Sequence, residues 1–214
     1  MFELGSDQPY NRAINDQRKK KEVFSMQKNR FTVLQLAVLA MMTALVFVSN
    51  YLRITMPIAI GGNTSFTLAN ILCVLSGLLL GPVGGLAAGL GSALYDLTNP
   101  LFASECWLTF LTKGAMGLAA GLVMRNAARR EAPTYPRCLS GAVVGCIAYY
   151  VLYFTKSYFY NGLLVEGLQP AVALATLPLK VPASIFNAAV ALVAAPILCM
   201  AIRSALKRAH LKLA

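Results

Sequence analysis

The sequence predicts an all-α fold, a six-helix transmembrane bundle with N- and C-termini cytoplasmic, on three observations. Hydrophobic residues are 57% of the 214 and charged residues only 13%, with a mean hydropathy of +0.62, too apolar for a soluble domain of this size. The apolar residues fall in runs long enough to cross a bilayer, which takes roughly 17–25 residues. The lysines and arginines fall at the chain ends and between alternate runs, and such segments resist translocation and stay inside.

Residues 1–30 hold Arg12, Arg18, Lys19, Lys20, Lys21, Lys28 and Arg30 and read as a basic cytoplasmic arm that anchors the topology. About thirty polar residues before the first apolar run, and the length of that run, argue against a cleavable signal. The membrane domain spans 31–203, with helices expected at 31–52, 64–80, 83–97, 105–125, 137–160 and 175–203. The second and third are short and joined by Gly81-Pro82, a pair that suits either a tight turn at the cytoplasmic face or a re-entrant hairpin. Residues 204–214 form a basic cytoplasmic tail. The loop after the fourth span carries Arg125, Arg129, Arg130 and Arg137, and the C-terminal end carries Arg203, Lys207, Arg208 and Lys212. With the arm, that puts fifteen of the nineteen cations on one side, whereas the opposite loops carry only Arg53 and Glu166.

In lipid, helices come close where small residues recur one turn apart. Gly85 and Gly89, Ala88 and Ser92, Gly117 and Gly121, Gly141 and Gly145, and Ala191 and Ala195 have that spacing and are expected to pack the bundle internally. Ala37, Ala40 and Ala44 make a flat strip on a first helix otherwise covered by Leu, Met, Val and Phe. That strip suits either internal packing or docking of another subunit.

Ionisable side chains at membrane depth are costly and face the bundle interior or a wet cavity. Asp96, Glu105, Lys113, Lys156 and Lys180 all fall in the outer half of the predicted bundle. For Asp96, Glu105 and Lys156, snorkelling to the interface competes with ligand contact. For Lys113, a structural ion pair with Asp96 does. Asn63, Thr64, Asn70, Asn99, Trp107, Tyr153 and Asn187 lie near these charges. Together with Asp96, Lys113, Lys156 and Lys180 they form the candidate solute site, an externally open pocket that favours an anionic or strongly hydrogen-bonding solute. The aromatics at 149–160 also suit an interfacial belt.

Other classes find no support. Cys73, Cys106, Cys138, Cys146 and Cys199 lack C-x-x-C spacing and the one histidine, His210, is in the tail, so free thiols are expected and no metal or cofactor site. The charges do not form the aromatic-interleaved stripe of a nucleic-acid binder. There is no G-x-x-x-x-G-K-[ST] loop, H-E-x-x-H or G-x-S-x-G, and no histidine in a span. The chain lacks the apparatus to hydrolyse ATP, so uphill transport would draw on an ion gradient or another protein.

Over residues 31–203 the sequence resembles the substrate-binding S component of energy-coupling factor (ECF) transporters. Three places carry the likeness. Ala40-x-x-x-Ala44 is similar to the A-x-x-x-A with which such components dock their coupling subunit. The core from Gly62 through Asn63, Thr64, Ser65, Phe66 and Thr67 to Asn70, and then Leu80 to Leu97, is similar to the helix two to three region. Thr112-Lys113-Gly114, with Gly117 and Gly121, follows in the fourth helix. The resemblance implies a multi-pass protein of the bacterial plasma membrane that binds a vitamin-class ligand under loops one, three and five. It also implies a transmembrane coupling subunit and two cytoplasmic ATPase subunits as partners, with no catalysis in this chain. The diagnostic residues of riboflavin, thiamine or biotin types are not found, and the Gly81–Pro100 stretch is nearest the group of cobalamin and pantothenate carriers. The alternatives are a stand-alone secondary carrier for a small anionic solute, using Asp96 and Lys113 as a relay, or a non-catalytic membrane assembly factor.

Overall fold

The computed structural model describes residues 33–57, 63–128 and 134–209. The chain clusters into two units, residues 1–36 and 37–214, and of the first only the opening turn of one helix is described. The basic arm and His210 lie outside the described residues. In chain order come α1 (Val33–Ser49), β1 (Arg53–Pro57), β2 (Asn63–Thr67), α2 (Ala69–Leu80), a 3-10 turn (Gly81–Val83) and α3 (Gly84–Thr98). A second 3-10 turn (Ala103–Glu105), α4 (Cys106–Ala128), α5 (Tyr135–Lys156), a π-helix (Ser157–Val165) and α6 (Pro170–Arg208) complete the chain. Four helical stretches, Ala69–Thr98, Ala103–Arg125, Tyr135–Val165 and Pro170–Arg208, are long and apolar enough to cross a membrane, and Gln35–Ser49 is apolar but shorter.

The first of those stretches is an antiparallel hairpin. Gly81, at φ 69°, takes the left-handed region that glycine enters without steric cost, and Pro82 starts the next turn. The Ser76 hydroxyl lies 2.8 Å from the carbonyl oxygens of both Cys73 and Gly84, which ties α3 back onto α2. At the far end of the same pair Cys73 Sγ meets Ser92 Oγ at 3.7 Å. A side chain on Gly121 would run into the Gly81 carbonyl, so the elbow reaches the C-terminal part of α4. Cys138 at the start of α5 touches Cys199 near the end of α6, Sγ to Sγ 3.7 Å, and Arg203 donates to the Leu78 carbonyl at 2.7 Å. The elbow, the end of α4, the start of α5 and the end of α6 therefore share one end of the bundle, with Arg125, Arg137 and Arg203 on them.

Helix α4 is the centre of the bundle, packed against α2, α3 and α5. Its Met116, Ala120 and Met124 are buried with Val74, Leu75 and Leu78 of α2 and Cys138, Ala142 and Cys146 of α5. Backbones come into contact along it: a Cβ on Gly117 would lie 2.9 Å from the Gly85 Cα, and one on Gly85 would lie 2.6 Å from the Gly114 carbonyl oxygen. The thirteen glycines at helix contacts and turns include every one of the small-residue glycines that spacing singled out. Met42 and Val46 of α1 are buried in the same core, Val46 against Gly91 of α3.

Two elements depart from the expected helices. Residues 64–67, expected to open the second span, are a strand paired antiparallel with β1, Arg53 opposite Thr67 and Thr55 opposite Ser65. Threonine and phenylalanine favour a pleated, half-buried surface over a helix, so helix begins only at Ala69. The fifth span, expected to end at 160, continues as a π-helix to Val165, where the Glu166 N–H bonds the Asn161 carbonyl at 3.0 Å.

Backbone contact at Gly117 leaves no room for a side chain. Gly117→Leu is expected to lower stability by about 1–3 kcal/mol, the usual cost of overpacking, read as an earlier thermal transition of the solubilised protein. An unchanged transition would show that α3 and α4 part without cost.

Candidate functional site

At the end of the bundle away from the basic residues lies a cavity of about 160 Å³, where a single water needs only about 10–15 Å³. Its floor is Lys113 of α4, 3% exposed. The ammonium donates to Oδ1 of Asn70 on α2 and sits 4.5 Å from the ring centroid of Tyr149 on α5, a cation held against a π face. Among the described residues no carboxylate lies within ion-pair distance of it.

Arg53 of β1 closes one side. Its guanidinium meets Asp96 Oδ1 of α3 at 3.4 Å and Asn50 Oδ1 at 2.8 Å, and it stacks over Tyr95 and Phe102, 5.0 Å from each ring centroid. Opposite, Lys156 of α5 pairs with Glu105 at 2.5 Å, and Asn161 of the π-helix donates to the other Glu105 oxygen at 3.0 Å. Lys180 of α6 donates to the Ser157 hydroxyl at 2.5 Å and is flanked within its helix by Pro178 and Pro182. Thr64, Ser65 and Thr67 of β2 complete the lining, with Tyr149, Tyr150 and Tyr153 as its aromatic wall. Four cations, Arg53, Lys113, Lys156 and Lys180, face three carboxylates, Asp96, Glu105 and Glu166, so the chamber favours an anionic or acceptor-rich guest. Arg53 Nε and Asn161 Oδ1 are buried there without a hydrogen-bond partner, a cost that a guest with matching groups relieves.

Of the residues expected at the site, Thr64, Asp96, Lys113, Tyr153, Lys156, Lys180 and Asn187 line this chamber. Asn70 lies beneath it, reached through Lys113. Two do not join them. Asn99 follows the end of α3, and its side chain accepts the Leu101 N–H at 3.1 Å, the local bond that asparagine makes in turns. Trp107 is 54% exposed and packs edge-on to Tyr160 on the outside, where an interfacial aromatic belongs. The side chain of Asn63 lies outside the described residues. The Asp96–Lys113 ion pair, the alternative to ligand contact for Lys113, is not formed, because Arg53 takes the carboxylate and Asn70 the ammonium, and this leaves no direct relay between the two. Ala37, Ala40 and Ala44 are all exposed on α1.

Arg53 and Tyr149 were not anticipated. Arg53 carried a signal, as the one cation in loops otherwise stripped of positive charge. Tyr149 carried none, because aromatics at that depth suit core and site equally.

The model of the family described as ECF-type riboflavin transporter, S component, matches residues 30–204. Among solved structures, one described as the S component of a bacterial ECF transporter aligns with a TM-score of 0.53 at 18% identity, covering 81% of this chain and 97% of that one. No curated protein matches the chain. That likeness at low identity speaks for the fold, and the family model for the membership. The chain belongs to the ECF-type riboflavin transporter S component family, as a multi-pass protein of the bacterial plasma membrane and a substrate-binding subunit of an ECF transporter, not an enzyme.

Proposed function

We propose that this chain crosses the membrane six times with both termini in the cytoplasm, captures a vitamin-class solute from outside in the polar chamber, and delivers it to an ATP-driven coupling module. One observation carries the reading: Lys113, a buried ammonium at the chamber floor, has a neutral amide and a ring face for company and, among the described residues, no carboxylate within ion-pair distance. Burying such a charge is costly, and a guest that brings an anionic or electron-rich acceptor offsets the cost. Thr64, Asp96, Tyr153, Lys156, Lys180 and the clustered tyrosines supply the remaining contacts, with Asn70 acting through Lys113. Riboflavin is the first compound to test, because the family is described by it.

The chamber lies opposite the basic end of the bundle, and positively charged segments stay inside, which supports an outward-facing mouth. Ala37, Ala40 and Ala44 stand exposed on one face of α1. A strip without bulky side chains suits close approach of another transmembrane helix, and it supports docking of the coupling subunit, which in turn carries the two cytoplasmic ATPases. Docking loosens capture if it distorts the chamber walls, a coupling between two sites in the ordinary thermodynamic sense.

Three outcomes are expected. In cells, a cysteine at Thr134 in a Cys106→Ser background is labelled only after the membrane is opened; labelling in intact cells would overturn the orientation. Lys113→Met weakens riboflavin binding to purified protein by roughly ten- to a hundredfold, as expected for a hydrogen bond to a charged group, with the thermal transition retained; equal binding by both proteins counts against the floor. Ala40→Trp abolishes uptake in cells yet leaves binding by purified protein intact, and parallel loss of both would remove α1 as the docking face.

A further inference from the structure

The hairpin of β1 and β2 is a two-stranded sheet in which β2 has one edge without a partner strand. An open edge leaves N–H and C=O groups unsatisfied, which is costly where water is scarce. Here a side chain of α6 caps two of those groups. Asn187 of α6 accepts the Thr67 N–H through Oδ1 at 2.9 Å and donates through Nδ2 to the Ser65 carbonyl at 2.8 Å. Residues two apart on a strand present their polar groups to the same edge, and a primary amide offers one acceptor and two donors. Asn187 thus stands where the peptide group of a third strand would stand. Its neighbours on the same helix face, Ser184 and Lys180, line the chamber.

We propose that Asn187 is a positioning residue, whose amide fixes β2 to α6 and through the β1–β2 ladder holds Arg53 against Asp96. The register makes the connection direct: Thr67, bonded to Asn187, lies opposite Arg53. The two anchors sit on different helices, Asn187 on α6 and Asp96 on α3, so the hairpin spans the chamber between them. Within it, Thr64 and Thr67 of β2 are buried. The amide matches both groups: aspartate would turn the donor facing Ser65 into a second acceptor, and leucine would leave both backbone groups bare. This assignment rests on the reading of the chamber as the solute site, but its structural half does not depend on which solute binds.

The experiment has two arms on the full-length protein in nanodiscs. Without any solute, Asn187→Leu is expected to speed amide hydrogen exchange over residues 64–67 at least tenfold while α4 is unchanged. Asn187→Thr, which keeps one of the two bonds, gives an intermediate rise and carries the test if the leucine variant does not fold. With riboflavin as probe, Asn187→Leu and Arg53→Ala each weaken binding, and the double variant is no weaker than the weaker single by more than about threefold. Unchanged exchange at 64–67, a rise shared equally by α4, or losses that multiply in the double variant overturn the proposal. Wild-type protein that ignores riboflavin removes the proposed solute and leaves the exchange arm to decide.

Discussion

The structure depends on backbone contact among α2, α3 and α4. Where no hydrophobic drive pulls helices together, their association rests on close packing and hydrogen bonds, and Gly77, Gly85, Gly117 and Gly121 let main chain meet main chain. These contacts lie towards the elbow and the C-terminal part of α4. Further along the same pair Gly89 meets Phe110, and beyond it the helices carry Asp96 and Thr109, which face the cavity. One end of the bundle is thereby knitted shut by absent side chains, while the other is filled by polar ones. The division between a close-packed end and a polar end follows where the glycine contacts between α3 and α4 stop.

At the polar end the charges are braced by neighbours. Asp96 is held by Arg53, Glu105 by Lys156 and Asn161, Lys180 by Ser157, and Lys113 by Asn70 and Tyr149. Most of these neighbours come from different helices or from the hairpin, so the chamber's shape is fixed by bonds across the bundle and not by any one segment. The arrangement is polar enough to receive a hydrated solute and sufficiently cross-braced to keep its form before one arrives.

Much of this was legible in the sequence, and the limits are physical. Hydropathy and the lysine–arginine distribution gave the helices and the basic end, because both are collective properties of long segments. The seven chamber residues found in advance were polar side chains at membrane depth, which have few other reasons to exist. The hairpin was missed because Asn63 to Thr67 runs straight into the apolar stretch of α2, although Gly61-Gly62 between Thr- and Ile-containing runs was a turn signal. Asn99 and Trp107 were over-read, since an asparagine at a helix end and a tryptophan at an interface have local tasks that composition cannot separate from binding. The partners of Asp96 and Lys113 could not be inferred from spacing, because Arg53 and Asn70 approach from elsewhere in the fold.

The prolines of α6 bear on how such a chamber tolerates chemical variety. Pro178 and Pro182 offer no N–H to the carbonyls of Leu174 and Pro178, so two rungs of the helical ladder are missing on either side of Lys180. A helix short of rungs bends at less cost than its neighbours. The wall bearing Lys180 is consequently the compliant one, while the glycine-locked floor is stiff. A guest of different outline would be met by movement of this flank, with the scaffold beneath left as it is.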